Sequence, residues 1–121
     1  MSSLGQVKEA YNNKAEELET EMAKAKAGAL ALQESVERGV TSTQADTREE
    51  WAELGSQNSE MAEIVEALTD ELFELSRQLK ALGEDREHSF NNILVDSVAI
   101  QSLTSAANEA MVKAIEALES S

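Results

Sequence analysis

The stretch VERGVTSTQADTREEW, residues 36–51, carries the end of one predicted helix and the start of another. Arg38 followed by Gly39 is typical of a helix C-terminus, where a cation complements the helix dipole and glycine adopts a left-handed conformation. Thr43, followed three residues later by Asp46, resembles a capping box, which marks a helix start. Because the connection between them is short, the two helices are predicted to form an antiparallel hairpin.

Apolar residues recur every three or four positions on both sides of this connection, which places them on one face of each helix. The first stripe predicts a helix over about 3–38, and the second predicts a helix over about 43–82. The stripes comprise Leu4, Val7, Tyr11, Ala15, Leu18, Met22, Ala25, Ala29, Leu32 and Val36, then Trp51, Leu54, Asn58, Met61, Val65, Leu68, Leu72, Leu75, Leu79 and Leu82.

The hairpin register offers an explanation for two glycines inside the predicted helices, where glycine is less favourable than alanine by about 1 kcal/mol. If facing residue numbers sum to about 83, Gly28 lies opposite Gly55, and the missing side chains allow a close approach or make room for another group. The alternative is that the glycines are unrelated kink points. Asn58 is expected at the edge of its stripe in contact with water, and the alternative is a buried polar residue that fixes the register.

A third helix is predicted over about 86–119. Between residues 93 and 103 it is apolar nearly all round, which suits a helix that packs on the hairpin on one side and on another surface on the other. A β-strand at NNILVDSVAI is a competing interpretation, but a lone strand has nothing to pair with. The residues predicted to form an oligomer face are Ile93, Val98, Ile100 and Leu103.

The composition agrees with a single all-α domain over residues 1–121, since it has no proline, five glycines and 3% aromatic residues. Three helices of about 35 residues each are about 50 Å long, so the predicted shape is an elongated three-helix bundle or a coiled-coil-like rod. Such a rod has a thin core. A thin core favours self-association, and a homo-oligomer is therefore expected.

The formal charge of -14 comes from 24 acidic and 10 basic residues. The acidity is concentrated after residue 38, because residues 1–38 carry a net charge of -2, 39–83 of -7 and 84–121 of -5. Affinity for nucleic acid or an anionic membrane depends on cationic side chains, so neither partner is expected. The usual explanation is a solvated face, and an acidic surface that mimics nucleic acid for a basic partner is an alternative.

The sequence contains no recognisable motif for export, for a membrane span or for catalysis. The chain has no cysteine, no Sec signal peptide and no apolar run long enough to span a membrane. A cytoplasmic location is therefore expected, with export by another route left open.

Asp85 and His88 could share a helix face, yet the core stripes contain no carboxylates. An exposed histidine is therefore the main interpretation, and a dimeric metal site is the alternative. Without an activated nucleophile or a phosphate loop, we predict a protein that is not an enzyme and has no cofactor.

Aromatic, amide and cationic groups gather in the first helix, at Tyr11, Asn12, Lys24 and Lys26. These residues are the predicted contacts for a small anionic, nucleotide-like ligand or a partner, through stacking and charge pairing. Tyr11 and Lys26 are 15 residues apart, about 22 Å along a helix, so one ligand reaches both only across a subunit interface. Tyr11 also fits the core stripe, which is the competing interpretation.

Trp51 lies near the hairpin turn in WAELG, residues 51–55. The combination of a helical hairpin and one tryptophan resembles the small helical hairpins of the Trp-x-Gly family, which type VII secretion exports. The resemblance covers these two features alone, because the glycine here is four residues after Trp51 and the chain has a third helix and no Tyr-x-x-x-Asp/Glu tail. It implies a secreted hairpin as an alternative to a packing role for Trp51.

Three functions are therefore open. The first is a non-enzymatic, acidic helical bundle that self-associates and binds a protein partner. The others are a module that binds a small anionic ligand at an oligomer interface, and a secreted helical hairpin. The first is the prediction we favour, because the third helix has more apolar surface than one hairpin covers.

Overall fold

The computed structural model describes residues 3–39 and 44–120. These residues form three α-helices, α1 (Leu4–Arg38), α2 (Gln44–Ala81) and α3 (Glu87–Ser120), and contain no strand. The prediction of an all-α three-helix bundle is confirmed, and each helix begins and ends within one residue of its predicted bounds. The competing strand at residues 91–100 is wrong, because that segment lies entirely inside α3. The predicted helix start at Thr43 falls outside the described residues.

Side-chain hydrogen bonds show that α1 and α2 are antiparallel. The Asn58 Nδ2 atom donates to the carbonyl oxygen of Gly28 at 3.1 Å, and the Trp51 Nε1 atom donates to Ser35 Oγ at 2.9 Å. Both pairs of residue numbers sum to 86, so the predicted register, with a sum of about 83, is wrong by about three residues. The reason is that sliding one stripe by three or four residues still pairs apolar layers, and spacing alone does not fix the register.

Helix α3 packs on the hairpin of its own chain and is antiparallel to α2. The hydroxyl groups of Thr69 and Ser97 lie 2.8 Å apart, and Asn108 Nδ2 donates to Ser59 Oγ at 3.0 Å. The three helices therefore run up, down and up. It follows that α1 and α3 point in the same direction along the bundle.

Glycines with positive φ end the first two helices, as the sequence predicts. Gly39 has φ 76° and ψ -160°, an extended conformation open almost only to glycine, rather than the left-handed helical one. Gly83 has φ 93°, and the N–H of Glu84 donates to the carbonyl of Leu79 at 2.8 Å in a Schellman motif. Both helices stop where glycine permits the chain to turn.

The core consists of two apolar clusters along the bundle. The larger contains α1 as far as Ala25, the second half of α2 and Phe90 near the start of α3. The smaller surrounds Trp51, which is 2% exposed and packs in the core. Gly28 and Asn58 lie between the two clusters. The buried members are Val7, Tyr11, Leu18, Met22, Ala25, Val65, Leu68, Leu72, Leu79 and Phe90 in the larger cluster, and Ala29, Leu32, Trp51, Ala107 and Met111 in the smaller.

Exposed ion pairs join neighbouring helices around this core. Lys14 lies 2.9 Å from Glu71 on α2, and the hydrogen bond with this carboxylate raises the pKa of Lys14 above its ordinary value. Arg48 near the start of α2 lies 2.8 Å from Glu119 near the end of α3. Such exposed pairs contribute little stability each. None of the helices among the described residues has a stretch apolar and long enough to cross a bilayer.

Candidate interaction surface on α3

Large apolar side chains are exposed on the outward side of α3. Val95 is 68% exposed, Val98 53% and Leu94 37%, and their spacing of three and four residues groups them on one side of the helix. We call these three residues the α3 patch. Scattered exposed apolar residues are ordinary, whereas a group of three at one place forms a surface on which another helix can pack.

The α3 patch is also the least charged part of the molecule. Helix α3 has 6 charged residues among 34, against 12 among 35 in α1 and 13 among 38 in α2. Between Glu87 and Glu109, Asp96 is the only aspartate, glutamate, lysine or arginine. An apolar and nearly uncharged surface therefore stands out on a strongly acidic protein.

The structure divides the predicted oligomer face. Val98 points outward, but Ile93 and Ile100 are half-buried against the larger core cluster, and Leu103 is half-buried against the smaller one. These three residues serve mainly the packing of α3 on its own hairpin. Sequence analysis missed Leu94 and Val95, although their spacing from Val98 in the charge-poor segment was a usable signal.

A groove of about 400 Å³ lies between α1 and α3. Its lining includes Met22, Lys26, Asp96, Ala99, Ile100 and Leu103. The α1–α3 groove thus brings Lys26, from the predicted ligand contacts, to two residues of the predicted oligomer face. Its floor is apolar, and it has one cationic and one anionic side chain. Within residues 3–39 and 44–120, neither Lys26 nor Asp96 forms an ion pair.

The predicted ligand contacts do not converge on one site. Tyr11 is 2% exposed, and the Arg86 guanidinium lies 5.6 Å from the centre of its ring, so the ring is a core surface rather than one on which a ligand stacks. Tyr11 is thus a member of the larger core cluster, as the competing interpretation had it, and its ring is not exposed for stacking. Asn12 is exposed, and Lys24 pairs with Glu21 at 3.4 Å. Of the four residues, Lys26 alone reaches the groove.

The residues considered for metal or reaction chemistry stand apart. His88 is exposed in the first turn of α3, as the main interpretation had it. The described part of the chain has no group of three or more histidine, aspartate or glutamate side chains placed to hold a metal ion. Comparisons of the chain with protein-family models, curated proteins and solved structures find no significant match.

Proposed function

We propose that this protein is a non-enzymatic helical bundle that self-associates through the α3 patch and binds a protein partner through its acidic helices. The observation that carries the proposal is the exposed, nearly uncharged group Leu94, Val95 and Val98. Burial of apolar surface of this kind contributes about 25 cal/mol per Å² removed from water. A second copy of the chain supplies an apolar surface of the same size.

Charge favours a second copy as the occupant of the α3 patch. Each chain carries a formal charge of -14, so most contacts between two copies bring like charges together and are unfavourable. The α3 patch is the surface at which two copies meet with few charges facing each other. Charges on the other helix faces of the two copies then lie farther apart, and salt screens the repulsion between exposed charges over distances of about 10 Å.

The acidic surfaces of α1 and α2 stay outside this contact. We infer that they are available to a partner with basic side chains, since complementary charge speeds association and selects partners. A cytoplasmic location is a further part of the proposal. The anionic-ligand and secreted-hairpin hypotheses stay predictions, and no contact among the described residues favours either over self-association.

The proposal is tested by the mass of the assembly in solution for wild type and Val98→Asp. We expect wild type to be an oligomer by light scattering and native mass spectrometry, and Val98→Asp to be mostly monomeric, because the aspartate places a charge within the apolar contact. Ile64→Asp is the matched control, since Ile64 is 45% exposed on α2 and lies outside α3. Ile100→Asp is a poorer test, because Ile100 packs against the core.

Two results would count against the proposal. One is a wild-type monomer at every concentration measured. The other is an oligomer whose mass Val98→Asp leaves unchanged. Circular dichroism of each variant shows whether a change in mass reflects lost association or lost folding.

A further inference from the structure

The apolar surface of α3 continues across the groove between α2 and α3 to an exposed aromatic ring on α2. Phe73 is 49% exposed, and its ring centre lies 5.4 Å from that of Phe90 on α3. Both rings line a groove of about 140 Å³ together with Asn91. Asn91, Leu94 and Val98 follow each other at spacings of three and four residues, so Leu94 and Val98 lie on the side of α3 that borders this groove. We call Phe73, Leu94 and Val98 the α2–α3 face.

The outward side of α2 carries charges of opposite sign before and after Phe73. Glu66 precedes Phe73 by seven residues and Lys80 follows it by seven, and two helical turns bring each of them back to nearly the same side as the ring. Asp70 and Arg77 lie about one turn before and after it. All four charged residues are exposed. This strip of α2 is therefore anionic toward the start of the helix, aromatic in the middle and cationic toward the end.

From this strip we infer that two copies associate through the α2–α3 face in an antiparallel manner, with Phe73 at the two-fold axis and Lys80 beside the partner's Glu66. The inference depends on the proposed self-association and specifies its geometry. The axis lies in the contact plane, perpendicular to the helices, so α2 packs on the partner's α2 and α3 on the partner's α3. Reversal about Phe73 exchanges the two ends of the strip, and an isologous contact forms each charge pair twice. Arg77 approaches the partner's Asp70 in the same way.

The same axis brings apolar residues of α3 together. Hydrogen bonds between α2 and α3 join residues whose numbers sum to 166 or 167, which places Leu94 at the level of Phe73. Leu94 of one copy therefore lies close to its equivalent, and Val98, one turn further, faces the first turns of the partner's α3. Asp96, two residues from both Leu94 and Val98, points to the opposite side of α3 and stays outside the contact.

A parallel arrangement leaves the carboxylates of the strip without partners. A two-fold axis along the helices places α2 of one copy against α3 of the other at the same level. Glu66 and Asp70 then face the partner's α3 near residues 96–100, where there is no lysine or arginine. A carboxylate that loses water without gaining a cation is unfavourable, whereas one that meets a cation is compensated. The antiparallel arrangement is favoured for this reason.

Charge also favours a second copy over an unrelated chain on this face. Lys80 lies 3.2 Å from Glu87 and Arg77 lies 3.2 Å from Glu74, but both pairs are exposed, and such pairs contribute little stability. Within residues 3–39 and 44–120, neither carboxylate of the strip forms an ion pair. A second copy brings cations to those carboxylates and an equal apolar surface to Phe73. Complementary charges of this kind fix the orientation of a contact more than its affinity.

Charge reversal in two separate chains tests the pairing. Lys80→Glu places a carboxylate against the partner's Glu66, and Glu66→Lys places an ammonium group against the partner's Lys80. Each variant alone is expected to self-associate about tenfold more weakly than wild type. Mixed in equal amounts, the two variants form both pairs with opposite charges. Native mass spectrometry of the mixture should show a heterodimer well above the statistical half.

Two controls separate the pairing from net charge and from folding. Lys24→Glu mixed with Glu19→Lys makes the same changes of net charge at exposed positions of α1, outside the α2–α3 face, and should stay close to the statistical mixture. The double variant Lys80→Glu with Glu66→Lys in one chain should recover wild-type association. That recovery shows that both reversals are compatible with folding.

The position of Phe73 at the axis has its own test. Phe73→Ala should weaken self-association about tenfold, because buried aromatic anchors near the centre of a contact carry much of its affinity. Ile64→Ala is the matched control, since Ile64 is 45% exposed and lies nine residues from Phe73, on the opposite side of α2. Circular dichroism shows whether either variant has lost helix.

The outcomes distinguish this inference from the proposed function. A statistical mixture of dimers in the charge-reversal experiment, with Val98→Asp still monomeric, overturns the antiparallel pairing and leaves self-association in place. Wild-type association of a folded Phe73→Ala variant overturns the position of the axis. A wild-type monomer overturns the proposed function itself.

Discussion

Gly28 and Gly55 both lie inside long helices, and each leaves room for a side chain from a neighbouring helix, but the neighbours differ in kind. A Cβ atom on Gly28 would collide with the Asn58 amide and lie 2.7 Å from Met61 Cε, both on α2. A Cβ atom on Gly55 would lie 2.5 Å from Met111 Cε on α3. One glycine makes room for a polar group and the other for the end of a flexible apolar chain.

The two sites differ in how firmly the side chain that occupies the space beside the glycine is held. Asn58 is 2% exposed, and its Nδ2 atom donates to the Gly28 carbonyl at 3.1 Å, so its amide has a defined position and direction. Methionine has three rotatable bonds and a soft thioether, and it fills gaps without a defined direction. Asn58 therefore specifies the register of α1 on α2, whereas Met111 adapts to the register that α2 and α3 already have.

The largest effect is expected for Gly28→Ala, which should lower the free energy of unfolding by about 3 kcal/mol. The new methyl group displaces the Asn58 amide, and the costs of overpacking and of an unpaired buried amide, each about 1–3 kcal/mol, exceed the gain of about 1 kcal/mol in helix propensity. Urea denaturation followed by the fluorescence of Trp51, the one tryptophan, measures the change. A loss below about 0.5 kcal/mol would show that Asn58 is free to move.

A double variant tests whether the stability lost in Gly28→Ala comes from the contact with Asn58. Asn58→Ala alone should cost about 2 kcal/mol, through a lost hydrogen bond and the space left behind. In Gly28→Ala with Asn58→Ala the new methyl group occupies part of that space, so the double variant should be more stable than the sum of the two single changes by about 2 kcal/mol. Simple additivity would mean that the two residues do not compete for the same volume.

The sequence was sufficient to predict the helices of this protein but not how they face each other. Apolar spacing and the glycines at 39 and 83 located each helix end within one residue, because these signals are local. The register was wrong by about three residues, since stripes of similar apolar residues pair almost equally well when shifted by one turn. Asn58 held the missing information, yet we expected it to reach water, because a polar residue beside a stripe is usually exposed.

The candidate surface was predictable only in part for a related reason. Helix α3 is apolar nearly all round between residues 93 and 103, so its sequence does not say which side the hairpin covers. The structure assigns Ile93, Ile100 and Leu103 to the core side and leaves Val98 outside. Lys26 was predicted as a ligand contact together with Tyr11, and its position in the same groove as Asp96 depends on the packing of α1 on α3, which no local pattern encodes.

The smallest effect is expected for Gly55→Ala, which should change the free energy of unfolding by less than about 1 kcal/mol in either direction. The clash with Met111 Cε is relieved by a rotation at the end of that side chain, and the gain in helix propensity offsets the repacking. Gly5→Ala, in the first turn of α1, is the comparison free of contacts, because a Cβ atom there meets nothing within 4 Å. If Gly55→Ala instead destabilises the protein as strongly as Gly28→Ala, Met111 is held as firmly as Asn58, and the contrast between polar and apolar neighbours fails. All variants are compared at one protein concentration, because association adds to the apparent stability.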